Sequence, residues 1–169
     1  MAAGAPTLKR MNLELGGSAP CVVFGDANLD ETVAGITRAA MAHTGQVCVA
    51  ASRVIAEQSI AAELESKLAE RLGGLKLGVA DSADSQLGPL IDTASRDRIA
   101  GLVTASKDIG EVVLEGSAPG GDLGNGSFIS PSLVHVEDSN SEFLQQEVFG
   151  PLLTICLLYT SPSPRDIGE

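Results

Sequence analysis

Cys48 lies in His43-Thr44-Gly45-Gln46-Val47-Cys48-Val49-Ala50, and Glu14 lies upstream in Asn12-Leu13-Glu14-Leu15-Gly16-Gly17. A cysteine thiolate attacks electrophilic carbon, and a separate carboxylate can take a proton from the water that later releases the covalent product. The pair therefore suggests chemistry through a thioester. Glycines beside both residues let backbone approach a substrate or cofactor where a side chain would collide. Spacing alone leaves a plainer alternative open, in which Cys48 is a small buried apolar residue and Glu14 a solvated carboxylate at a strand end. A further rival pairs Cys48 with His43 or His135 as a thiol hydrolase or acyltransferase. His43, five positions before Cys48, is placed to close a helix, where a histidine is favourable without catalysis. His135 falls in a predicted strand.

The elements that must position these residues alternate between strand-like and helix-like patterns, which predicts an α/β layered domain, a mostly parallel sheet flanked by helices. Residues 20–24 read as a buried strand, 26–30 as a turn with N-cap residues, and 31–42 as a helix. Residues 53–56 read as a second strand. Residues 58–72 form an amphipathic helical pattern with Ile60, Leu64, Leu68 and Leu72 on one stripe, ended by Gly73-Gly74. A helix is expected over 94–107, a strand over 111–114, and a strand over 128–136 interrupted near Pro131. The stretch 117–127 is glycine-rich and aperiodic, hence a loop. Its surroundings contain neither a G-x-G-x-x-G nor a phosphate-loop lysine, so it reads as a surface connection.

A chain of 169 residues with 44% hydrophobic content suits one compact domain. No apolar run is long enough to span a bilayer, and the start lacks a signal-peptide pattern, so no membrane partner and a cytoplasmic location are expected. The net charge of -11 argues against nonspecific nucleic-acid binding. Cys21, Cys48 and Cys156 are too few and too irregularly spaced for a disulfide framework or a zinc site, so no metal is expected.

Longer stretches narrow the choice. Leu8-Lys9-Arg10-Met11-Asn12-Leu13-Glu14-Leu15-Gly16-Gly17 and Gly45-Gln46-Val47-Cys48 both resemble signatures of the aldehyde dehydrogenase family. Leu87-Gly88-Pro89-Leu90-Ile91 resembles its Gly-Pro-Leu stretch, and Gln146-Glu147-Val148-Phe149-Gly150-Pro151 its cofactor-contacting Glu-Ile-Phe-Gly-Pro motif. These motifs occur in the family's order and extend the resemblance to about Ile155. The resemblance implies that Cys48 attacks an aldehyde to form a thiohemiacetal, that a hydride passes to NAD or NADP, and that Glu14 activates the water that hydrolyses the resulting thioester. It implies that the Cys48 N–H helps hold the oxyanion. Glu147 would hydrogen-bond the nicotinamide ribose, Phe149 would pack beside the nicotinamide, and Leu15 and Gly16 would also contact the cofactor. Gly45 and Gln46 would shape the nucleophile loop. The implied partner is a small-molecule aldehyde, and the implied parent enzyme a homo-oligomer.

The chain also departs from the family pattern. Ser18 stands where family members usually carry lysine, which leaves the local electrostatics open. The family places a large dinucleotide-binding region and an oxyanion-stabilising asparagine before the glutamate motif, and these are expected to be lacking here. Residues 156–166 resemble one translated reading frame of a transposon-end sequencing adapter. The expected division is therefore 1–17 as the end of a cofactor-domain segment, 18–155 as an incomplete catalytic domain, and 156–169 as a tail outside the family pattern. A non-catalytic α/β piece without a complete cofactor site remains an alternative.

Overall fold

Asn28 sets the first long helix. In the computed structural model, which describes residues 2–138 and 141–158, its side-chain oxygen accepts the backbone N–H groups of Asp30 and Glu31, and α1 runs over Leu29–Met41. Donors that the first helical turn cannot satisfy internally are thereby paired. Val33, Ile36, Thr37, Ala40 and Met41 recur at helical spacing and are its buried residues. The second helix, α2 (Ala61–Gly73), buries Ala61, Leu64, Leu68 and Leu72, and the Gly74 N–H closes it by donating to the carbonyls of Glu70 and Leu72. It begins three residues later than residue 58. Glu57 accepts the Gly25 N–H and the Ser59 hydroxyl, so residues 57–60 form a turn instead.

Five strands complete the sheet: β1 (Ala19–Val23), β2 (Ala51–Ala56), β3 (Glu111–Leu114), β4 (Ser132–His135) and β5 (Leu152–Leu157). Their spatial order is β1-β2-β5-β4-β3, with only the β3–β4 pair antiparallel. The expected mostly parallel α/β architecture is present. Its helices α3 (Thr93–Ser106) and α4 (Glu142–Gln145) lie across the sheet from α1 and α2.

Alternation along the strands separates two cores. Val54, Ala56, Leu133, Leu153 and Ile155 join the α1 and α2 side, while Val134, Leu152 and Cys156 join Ile99, Val103 and Leu144 on the other. A sheet covered on both faces has apolar residues at successive positions. This explains β5, Leu152-Leu153-Thr154-Ile155-Cys156-Leu157, whose first five residues are buried.

Further differences from the sequence expectation have identifiable reasons. The strand expected over 128–136 pairs only from Ser132, because Pro131 has no N–H to donate. The 117–127 loop contains a short 3-10 helix at Gly121–Asn125. The expected boundary after residue 155 cuts through β5, which continues with Cys156 and Leu157. Residues 159–169 of the expected tail lie outside the described residues.

Candidate active site

Topology gathers what the sequence separates. Glu14 to Gly17 lead into β1, Cys48 stands three residues before β2, and Glu147 to Pro151 lead into β5. These strands are parallel neighbours, so the three motifs meet at the amino-terminal edge of the sheet. Open α/β sheets commonly bind ligands at the opposite, carboxyl edge.

Between α1 and β2 the chain makes an unusual turn. His43, Thr44 and Gly45 have successive φ values of 47°, 61° and 76°. The first two place side-chain-bearing residues in the left-handed region at a cost of about 1–3 kcal/mol each. Surrounding bonds hold them there. The Thr44 hydroxyl donates to the Gly88 carbonyl at 3.1 Å. Gln46 donates from Nε2 to the His43 carbonyl at 2.9 Å and accepts the Ile91 N–H at Oε1, also at 2.9 Å. The Gly-Pro-Leu stretch is thereby tied to the cysteine turn. Gly45 is required for a second reason, since a β-carbon there would overlap the Gly150 carbonyl. Beyond it, Ala50 N–H donates to Val47 O at 2.9 Å, and the resulting turn presents Cys48 to solvent. The alternative of Cys48 as a buried apolar residue is corrected by that exposure.

The other cysteines differ. Cys156 is buried in β5, and Cys21 is half-buried. Burial pushes both thiols up, with Arg53 partly opposing the shift at Cys156.

Glu14 is exposed, and its Oε1 accepts the Asn12 Nδ2 at 2.7 Å. The motif itself makes the closer approaches. A β-carbon on Gly16 would overlap the Glu147 carboxylate, and one on Gly17 would lie 3.3 Å from the Cys48 carbonyl oxygen. Gly16 and Gly17 thus lie between Glu147 and the cysteine turn. Leu15 is 72% exposed. Among the described residues no hydrogen bond joins Glu14 to Cys48. Ser18 shares a 3.2 Å hydroxyl hydrogen bond with Ser52, linking the starts of β1 and β2.

Phe149 has φ 50° and keeps 42% of its surface exposed. Arg98 Nη2 donates to the carbonyls of Val148 at 2.7 Å and Phe149 at 3.3 Å. A β-carbon on Gly150 would strike Ile99. Sequence reasoning missed Arg98 and Ile99 because a helical Arg-Ile pair carries no local sign of a partner fifty residues away. A small hollow at this edge is lined by Gly17, Gly45, Val47, Ser52, Glu147 and Phe149. A larger groove between α1 and α2 lies away from these motifs, and its Lys67 is paired with Asp30 at 2.7 Å.

Among the described residues no hydrogen bond joins either histidine to Cys48. His135 Nδ1 lies 2.6 Å from Glu65 Oε2 at the carboxyl end of β4, the opposite edge of the sheet from Cys48. His43 is exposed, in the left-handed turn. Among the described residues no group of three or more His, Cys, Asp or Glu is arranged to hold a metal. No described helix is long and apolar enough to cross a membrane.

The chain belongs to the aldehyde dehydrogenase family, whose model matches residues 1–161. A succinate-semialdehyde dehydrogenase of Paenarthrobacter nicotinovorans is 41% identical over 151 residues, covering 89% of this chain and 33% of that protein. The cytosolic aldehyde dehydrogenase 1 of Mus musculus is 38% identical over 155 residues, covering 91% of this chain and 30% of its own length. Among solved structures, the betaine aldehyde dehydrogenase of Staphylococcus aureus in complex with NAD+ is similar with a TM-score of 0.82 at 32% identity, over 94% of this chain and 32% of that one. This chain spans about a third of the length of these relatives.

Proposed function

We propose that this chain carries the thiol part of an NAD(P)+-dependent aldehyde dehydrogenase site, with Cys48 as nucleophile and Glu14 as general base. The observation that supports it is the seating of Gly16 and Gly17 between Glu147 and the Cys48 turn, which collects three separated motifs at one sheet edge.

The residues present fit the nicotinamide-ribose end of a dinucleotide. Gly16, having no side chain, lets the Glu147 carboxylate lie against its backbone, and Phe149 is partly exposed. Glu147 would accept ribose hydroxyls, Phe149 would pack against the ring, and Leu15 and Gly16 would line the approach. When bound, NAD+ or NADP+ would supply the two-electron oxidant, accepting the hydride whose loss from the Cys48–aldehyde adduct leaves the thioester.

Cys48 Sγ adds as thiolate to the aldehyde carbon, and its exposed turn gives the substrate access. The Cys48 N–H supports the oxyanion. Glu14 then takes a proton from the water attacking the thioester, which releases the carboxylic acid and restores the thiol. Its carboxylate must first leave Asn12, a movement its exposure permits. The substrate class is a small aldehyde, consistent with the relatives' names. A cytoplasmic location, supported by the cytosolic mouse relative, and a homo-oligomeric parent belong to the same reading.

The test incubates the purified chain, Cys48→Ala and Glu14→Gln with aldehydes plus NAD+ or NADP+, and separately with an activated ester, following reduced cofactor and the acylated residue by mass spectrometry. Acyl attachment at Cys48 with release slowed about 100-fold in Glu14→Gln is expected. Acylation without reduced cofactor is the result of a chain lacking a complete cofactor site. Attachment at Cys21 instead, or unchanged release in Glu14→Gln, overturns the assignment.

A further inference from the structure

Two successive carbonyls, those of Val148 and Phe149, converge on one guanidinium nitrogen of Arg98. In an extended strand, neighbouring carbonyls point to opposite sides. One donor reaches both only where the backbone curls, and the left-handed Phe149 provides that curl. Phe149 carries a β-carbon, so the conformation persists only where its surroundings enforce it. Val148 is anchored in the second core before it, and Gly150 is seated against Ile99 after it. Arg98 adds a direct bond to the Phe149 carbonyl itself.

We propose that Arg98 is a positioning residue that, by clamping the carbonyls of Val148 and Phe149, sets the orientation of Phe149 at the small hollow it lines with Gly17, Val47 and Glu147. The functional weight of that placement rests on the proposed role of Phe149 beside a nicotinamide ring. The donor is a guanidinium, so both bonds are charge-assisted. Gly150 is also the residue against which Gly45 is fitted. The clamp on α3 is therefore linked by contact to the turn that presents Cys48, through Ile99, Gly150 and Gly45. Arg53 makes a related but longer contact, donating from Nη1 to the Leu144 carbonyl at 3.4 Å.

Fluorine NMR of the chain labelled with 4-fluorophenylalanine tests this without cofactor or turnover, the Phe149 resonance being assigned from Phe149→Leu. Arg98→Met retains an unbranched stem and removes the donors. It should move the Phe149 resonance further than those of Phe24 and Phe128. Arg98→Lys offers a point charge in place of a fork and should return the resonance part of the way. Arg96→Met is the control, since Arg96 bonds Asp97 and the Gly126 carbonyl from the same helix. A Phe149 resonance unmoved by Arg98→Met, or moved equally by Arg96→Met, overturns the proposal. If Arg98→Met does not fold, Arg98→Gln and Arg98→Lys carry the same comparison, and coincidence of both with wild type overturns it. Failure of the dehydrogenase reading would appear instead as acylation that ignores Cys48 and Glu14, with the fluorine result unchanged.

Discussion

Gly45 concentrates the backbone demands of the nucleophile turn. Its φ of 76° favours glycine, and the Gly150 carbonyl occupies the space of a β-carbon. Gly45→Ala combines a strained dihedral with a steric overlap and should cost more than about 2 kcal/mol, read as a lower denaturation midpoint at unchanged m-value. A midpoint equal to wild type would show that the turn rearranges cheaply. Asp92 offers a pH-dependent counterpart. As N-cap of α3 it accepts the Ser95 N–H at 2.7 Å, and Ser95 backbone and then side-chain bonding hold its carboxyl below the usual range. A depressed native value stabilises the fold above the unfolded value of about 3.9, and that contribution disappears as pH falls through the native one. The difference in melting temperature between wild type and Asp92→Ala should therefore shrink below about pH 4; a constant difference would refute it. The motif residues were legible because their types and order carry the resemblance. The Asn12 bond to Glu14 and the Arg98 clamp were not, because each depends on a side-chain direction that only the folded backbone sets.

Helices α1 and α2 were legible because each has a strong period of apolar residues. Leu64, Leu68 and Leu72 form one fully buried stripe. Leu68→Ala should remove about 2–5 kcal/mol, measurable by denaturant titration, and a loss below about 1 kcal/mol would mean that the stripe can collapse around the cavity. Strand β5 was not read. Its residues face alternate cores, so Leu152 to Cys156 show neither alternation nor helical spacing. The boundary expected after residue 155 falls inside it. Yet β5 is the central strand that brings Glu147 and Phe149 beside the starts of β1 and β2. Motif order could be read without it; spatial convergence could not, since strand order is set by packing between distant segments.

At the scale of the molecule, net charge and apolar surface oppose one another. The chain carries -11, while Val22 in β1 and Phe24 just after it are 45% and 55% exposed, and β1 is an edge of the sheet among the described residues. Helices α3 and α4 cover the second core under β4 and β5 but leave this end uncovered. An exposed apolar edge favours strand-to-strand association, which mutual repulsion resists until salt screens it. Sedimentation velocity should therefore show self-association that increases with salt. The double substitution Val22→Lys with Phe24→Lys separates the two causes. It lowers the net negative charge, so repulsion alone predicts more association, whereas loss of the apolar edge predicts less. We expect less at every salt concentration. More association in the variant would place the contact elsewhere and leave electrostatic repulsion as the controlling force.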